Sequence, residues 1–260
     1  MSKLIKIIFI IIFFASLFLG GRYFLRKSNT APQTVIQNIK DEVLPPPPEM
    51  IPAQNATNNG NASQSAITLP GKISIKVPFT SQAPFGVWDA RHEEACEEAS
   101  LIMLHAYLHN ISLNPNSAEK EIQAMIDFEI KNYGDYKDTT AEQSIRLYNE
   151  FYAPESGKKL QAIYDFDASA IKEELAKGSP VIVPAAGREL GNPNFTPPGP
   201  VYHNLVLVGY SGNQIITNDP GTRKGEGYRY NIDVLFKAIH DFPGDLDKID
   251  QGRKAMIVLK

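Results

Sequence analysis

Cysteine is almost missing from this chain: one residue, Cys96, in 260. An internal disulfide is therefore excluded, and the lone thiol is left as a small buried side chain, a metal ligand, an intermolecular link or a reactive nucleophile. An excess of positive charge is missing too. Twenty-six Lys and Arg stand against 29 Asp and Glu, a formal net charge of -3, which gives no electrostatic reason to propose nucleic acid as a partner. No internal repeat is visible. With 43% hydrophobic residues the chain has enough apolar side chains for a globular core.

Long apolar runs are scarce, with one exception at the N-terminus. Lys3 and Lys6 precede the thirteen residues Ile7 to Leu19, which carry no charge, the pattern of an export signal or a membrane anchor. No small-x-small cleavage site follows, and Arg22, Arg26 and Lys27 come next. Residues 1–27 therefore read as an uncleaved single-pass anchor in preference to a removed signal peptide, with the rest of the chain outside the cytoplasm, or secreted if the segment is cleaved. Residues 28–70 contain Pro45 to Pro48 and an Asn/Ser-rich stretch from Asn55 to Ser65. With few large apolar side chains this segment cannot offset its ordering entropy, and it reads as a disordered tether, stiff at the prolines and flexible beyond them. Residues 71–260 are of a size normal for one domain.

Within that domain a short strand is expected near Ile73 to Val77, then a core helix over roughly Glu94 to His109 that is apolar on most faces. Further helices are suggested by SAEKEIQAMIDFEI, TTAEQSIRLYNEFY and DASAIKEELAKG, the last capped by Asp167 or Ser169 and ended by Gly178. The segments PVIVPAA, HNLVLVGY, QIITND and KAMIVLK read as strands. Helices first and strands later argue for an α+β domain.

The segments VPFTSQAPFGVWDARHEEACEEAS, PVIVPAAGREL, GPVYHNLVLVGY and NDPGTRKGEGYRYN together resemble the bacterial C39-like peptidases, a branch of the papain-like cysteine hydrolases. The likeness runs from Val77 to about Asn231, in the order Gln, Cys, His, Asp. It implies an α+β papain-like cysteine hydrolase fold, with an N-terminal core helix packed on an antiparallel sheet, and a cysteine-type peptidase or amide hydrolase acting on peptide or protein; the same chemistry on cell-wall peptide, or transfer to an acceptor amine, is a further reading that the sequence does not separate from proteolysis. It implies Cys96 as nucleophile, His203 as base, Asp219 as the residue orienting the histidine and Gln82 as an oxyanion donor, with no cofactor. One departure is local: many relatives have Gly-Pro after the cysteine, whereas Glu97-Glu98 stand here.

The residues can also be weighed by their chemistry. A thiol attacks acyl carbon as thiolate, and needs an imidazole or a helix N-terminus to favour that form. Of five histidines, His105 and His109 lie about 13 to 20 Å along the helix from Cys96, and His240 falls in the helical pattern VLFKAIHDF. His203 opens a strong strand directly after a Gly/Pro loop, where a side chain can face a cleft while the strand stays rigid. If Ser211-Gly212-Asn213 form a three-residue hairpin loop, Asp219 opposes Leu205 on the face of His203; a two-residue loop puts it on the other face. Asp219 is equally an ordinary turn residue of Asn-Asp-Pro-Gly.

His92 and Cys96, four apart, imitate a zinc motif but lack a third ligand at motif spacing. Trp88 can line a substrate groove or anchor its loop. Arg188 and Arg223 can bind a substrate carboxylate or cap carbonyls. The alternative to an enzyme is an inactive papain-like module that binds peptide or cell-wall polymer.

Overall fold

Helix α1 (Cys96–His109) carries Ala99, Leu101, Ile102, Met103, Leu104 and Ala106 on successive faces, and all are buried. A helix apolar all round must be wrapped on every side, and the rest of the domain does this. The computed structural model describes residues 69–153 and 159–260. The expected anchor (1–27) and nearly all of the tether (28–70) lie outside the described residues. No helix among those described is long and apolar enough to cross a membrane.

Beside α1 lie α2 (Pro115–Asn132) and α3 (Ala141–Tyr152), each opened by a capping box, Asn114 with Ser117 and Thr140 with Gln143. Asp167 caps α4 (Ala168–Ala176). Short α5 (Ile232–Ala238) ends just before His240, so the helical pattern read around that histidine stops short of it. The core helix begins at Cys96; His92–Glu94 upstream form a separate 3-10 turn.

The strands are β1 (Lys72–Ser74), β2 (Leu160–Tyr164), β3 (Val181–Ala186), β4 (Tyr202–Ser211), β5 (Gln214–Asn218), β6 (Tyr228–Asn231) and β7 (Ala255–Leu259). They form one antiparallel sheet in the order β2-β7-β3-β4-β5-β6, with β1 paired to the far end of β4. The first strand is shorter than its sequence suggests, ending at Ser74 rather than Val77. Successive residues of β3 and β4 feed two cores. Ile182, Val206 and Val208 pack with α1, α2 and α3, while Val183, Leu205 and Leu207 pack with α4 and α5. Burial on both faces explains why these strands are continuous apolar runs rather than alternating ones.

The β4–β5 hairpin decides where Asp219 points. Ser211 pairs with Gln214, so Gly212-Asn213 alone form the loop, not three residues. A two-residue loop by itself would turn Asp219 to the wrong face. The ladder then slips by one residue between Leu207 and Gly209, a β-bulge that adds Val208 to β4 and restores the register, with Val206 opposite Asn218. Asp219, next along, falls opposite Leu205 on the face of His203. Gly209 is obligatory beside this bulge: a Cβ there would collide with the Ile73 carbonyl oxygen of β1.

Replacing Gly209 by Ala must therefore push β1 off β4. An overpacking cost of about 1–3 kcal/mol should lower the melting temperature by roughly 2–12 °C in a domain of this size. A thermal melt checks it, and an unchanged midpoint would mean that β1 does not seal this edge.

Candidate active site

Cys96 is the first residue of α1, preceded by Ala95, which offers no capping side chain. The free N–H groups of the helix start are therefore left to act on whatever stands beside them. The sulfur is buried. The Asn204 backbone N–H, one residue beyond His203, favours its thiolate, and the helix packs against β4. The Cys96 S–H donates to Oε2 of Glu97 at 2.9 Å. No hydrogen bond joins Cys96 to His203.

His203 is buried at the start of β4. Its Nε2 donates to Oδ1 of Asp219 at 2.7 Å, which leaves Nδ1 as the free nitrogen. Asp219 is entirely buried. Its Oδ2 accepts from the Tyr230 hydroxyl at 2.5 Å and from Asn192 Nδ2 at 3.1 Å, and Oδ1 also accepts from the Gly221 backbone N–H at 3.0 Å. Burial works against its charge, but attraction to His203 and these hydrogen bonds outweigh burial and hold the carboxyl below the usual range. The turn reading of Asp219 and the histidine-orienting geometry hold together.

Two glycines keep this pair in place. A Cβ on Gly221 would lie 2.8 Å from both His203 Cε1 and Phe195 Cε1, and one on Gly225 would collide with the Asp219 carbonyl. The Phe195 ring meets the imidazole edge-on, centroids 5.3 Å apart. Asn192, Tyr230, Phe195 and Gly221 were not singled out in the sequence. Only the Gly of NDPG carried a signal, and it read as turn chemistry.

Cys96, His203, Gln82, Trp88 and Arg188 line the same cavity of about 820 Å³; Asp219 stands behind His203 and does not line it. Gln82 is buried, and its Nε2 donates to the carbonyls of His92 at 2.8 Å and Glu93 at 3.2 Å, just before Cys96. Its amide is thus tied to the turn that delivers the thiol. His92 departs from the zinc alternative: Nδ1 meets Asp89 at 2.8 Å and Nε2 meets Glu119 at 2.9 Å. Burial disfavours its charge, yet these two carboxylates raise its pKa. Among the described residues no three His, Cys, Asp or Glu side chains are grouped to hold a metal ion. His105 is a core-edge residue stacked on Tyr152, and burial lowers its pKa to about 4.

The acids after the thiol shape its chemistry. Burial, and then the Glu97 charge, push the Cys96 thiol well above its usual range. Burial also raises Glu97, whose Oε1 accepts from the Thr139 backbone N–H at 2.9 Å. Glu98 is buried against Glu129 of α2, and neither Glu98 oxygen nor Oε2 of Glu129 meets a donor among the described residues. Two such carboxyls cannot both be ionised and must share a proton. Glu98 is held well above the usual carboxylate range and Glu129 at about 8, in both cases chiefly by burial.

A family model described as the Peptidase_C39 like family matches residues 74–242. No curated protein matches the chain. Among solved structures, a C39-like peptidase from Bacillus anthracis aligns at 15% identity over 73% of this chain and 98% of its own, with a TM-score of 0.43. The double glycine motif protease of an AMS/PCAT transporter, solved with its leader peptide, aligns at 16% identity over 72% and 93%, TM-score 0.38. The peptidase domain of Streptococcus ComA, a bifunctional ABC transporter, aligns at 14% over 71% and 98%, TM-score 0.40.

Two measurements follow from the buried acids. Glu97→Gln removes the charge beside the sulfur and supplies an amide donor, so the thiol pKa, read from the pH dependence of iodoacetamide alkylation, should fall by about one unit or more. An unchanged profile would mean that Glu97 does not govern the thiol. Glu129 binds its proton more tightly folded than unfolded, so it carries no penalty below about pH 4.5 and destabilises progressively as pH rises toward about 8. Glu129→Gln should therefore melt above wild type at pH 9, with the gap closing toward pH 5.

Proposed function

This chain belongs to the Peptidase_C39 like family, the papain-like cysteine peptidases, and we propose that its peptidase centre is a Cys96–His203–Asp219 triad. The observation that carries the proposal is the buried His203–Asp219 pair, 2.7 Å apart, whose imidazole lines the same cavity as a thiol at a helix N-terminus.

In this reading Cys96 turns from Glu97 toward His203, whose Nδ1 takes the thiol proton. Asp219 fixes the tautomer and stabilises the imidazolium. The thiolate attacks the amide carbonyl carbon, and the negative charge passes to the carbonyl oxygen. Donors for that oxyanion are the backbone N–H of Cys96 and the Gln82 amide, whose longer bond to Glu93 is the one that can be surrendered. Collapse breaks the C–N bond while the imidazolium gives its proton to the leaving amine. Water, deprotonated by His203, then attacks the thioester, and the acid and the thiol are released.

The substrate is peptide or protein, including cell-wall peptide. Supporting a place outside the cytoplasm are the apolar run Ile7 to Leu19 and the Pro/Asn-rich segment after it. Together these have the composition of an anchor and a tether.

Turnover of a quenched fluorescent peptide tests the triad. Cys96→Ala and His203→Ala should fall to background, and Asp219→Asn by about 10²–10⁴-fold. Because Asn would face the donors of Asn192, Tyr230 and Gly221 with an NH₂ of its own, Asp219→Asn should also lower the melting temperature. Wild-type turnover in His203→Ala would remove the catalytic pair.

A further inference from the structure

The cavity that holds Cys96 and His203 is positively charged in a chain that is negative overall. Arg188, Arg223 and Lys224 line it, against one acidic lining residue, Glu93, while the chain carries a net -3. None of the three cations pairs with a carboxylate among the described residues, whereas Arg91, Arg146 and Arg253 outside the cavity each do. All three are solvent-exposed.

Their placement is built, not incidental. Arg188 follows β3 in the turn Gly187–Leu190, and its Nε donates to the Gly199 carbonyl at 3.2 Å, which aims the guanidinium along the loop before His203. Gly187 itself has no room for a Cβ, which would lie 2.7 Å from the Pro200 carbonyl oxygen and 3.1 Å from His203 Cβ. On the other side, Arg223 and Lys224 follow Gly221, which seats the His203 ring. Arg223 lies across Gly86, where a Cβ would come within 2.8 Å of Nη1, so it reaches from the β5–β6 loop to the loop that carries Trp88. The cations thus stand on the two loops that flank the imidazole.

Guanidinium groups held in this way, with Nη donors free, suit bidentate recognition of carboxylate. We infer that this cleft selects acidic peptide segments, with Arg188, Arg223 and Lys224 receiving substrate carboxylates on either side of His203 and Trp88 packing on an apolar neighbour. The inference rests on the peptidase reading of the same site and adds to it the chemical class of the substrate. An acidic segment would be disfavoured by the surface at large and drawn to the cleft alone, a local contrast that gives selectivity more than affinity.

The test is binding, so that it reads out independently of turnover. Full-length Cys96→Ala is titrated with fluorescein-labelled peptides of one length whose variable positions are Asp/Glu, Asn/Gln or Lys. The acidic set should bind about tenfold tighter than the neutral set at low salt, and the preference should shrink as salt rises toward about 0.5 M. Arg188→Gln and Arg223→Gln should each cut the acidic preference roughly three- to tenfold, with neutral-peptide affinity and melting temperature unchanged. Equal affinity for the acidic and neutral sets, no binding of any set, or a preference that survives both substitutions overturns the inference. Wild-type turnover of the neutral peptide separates the two claims. Charge-blind binding with intact turnover sinks only the acidic selectivity, and charge-selective binding with no turnover of any peptide sinks only the peptidase reading.

Discussion

A carboxylate with no exposed surface is tolerable only if donors replace the water it has lost, and Asp219 has none of its surface exposed. His203, Tyr230, Asn192 and the Gly221 backbone N–H supply those donors. They come from β4, from β6, from the loop after β3 and from the turn itself. Four separate segments must be in place before the charge is satisfied. The same demand orders the histidine, because its imidazole N–H is one of those donors. Gly221 and Gly225 are glycine because the turn that closes this network leaves no space for a side chain.

The thiol lives under the opposite regime. Where Asp219 is surrounded by donors, Cys96 is followed by two buried carboxyls, one of which accepts its proton. The helix N-terminus favours a thiolate, while Glu97 and burial oppose it. The proposed nucleophile is thus held neutral in the resting arrangement, and its activation would depend on a rotation away from Glu97 or on protonation of that carboxyl. A buried thiol kept in this form is also a poor target for adventitious oxidation, since the thiolate is the species that reacts.

The residues that were legible in the sequence are those with a local signature. Cys96 stood out because it was alone, α1 because Ala99 through Ala106 are apolar on every face, and His203 because a Gly/Pro loop delivers it onto a continuous Val/Leu strand. Asp167 is one of two caps, with Ser169, that the sequence offers ahead of α4, and it is the one that caps. What escaped has no local signature. Strands β2 and β6, LQAIY and YRYN, are short and mixed in polarity, and they are strands because β7 and β5 offer them partners. Asn192 and Tyr230 are ordinary loop and strand residues until the fold sets them against Asp219. The Glu98–Glu129 contact joins positions 31 apart, and in the sequence both look like solvated helix charges. The hairpin has the two-residue loop, which alone turns Asp219 to the other face, and the Val208 bulge, invisible in a run of apolar residues, makes up the difference.

That bulge makes the geometry of the proposed triad a matter of parity. Which face Asp219 takes depends only on whether the count of residues between paired positions is odd or even, and here the count is the sum of a short turn and one extra residue in β4. A single insertion or deletion among the paired residues of β4 or β5, taken up neither by the turn nor by a further bulge, would reverse the parity and set the carboxylate against the wrong core, though neither His203 nor Asp219 had changed. Two such changes would cancel. The paired length of this hairpin is therefore tolerated in steps of two, and the glycine that lets β1 approach the bulge is the place where the count is kept.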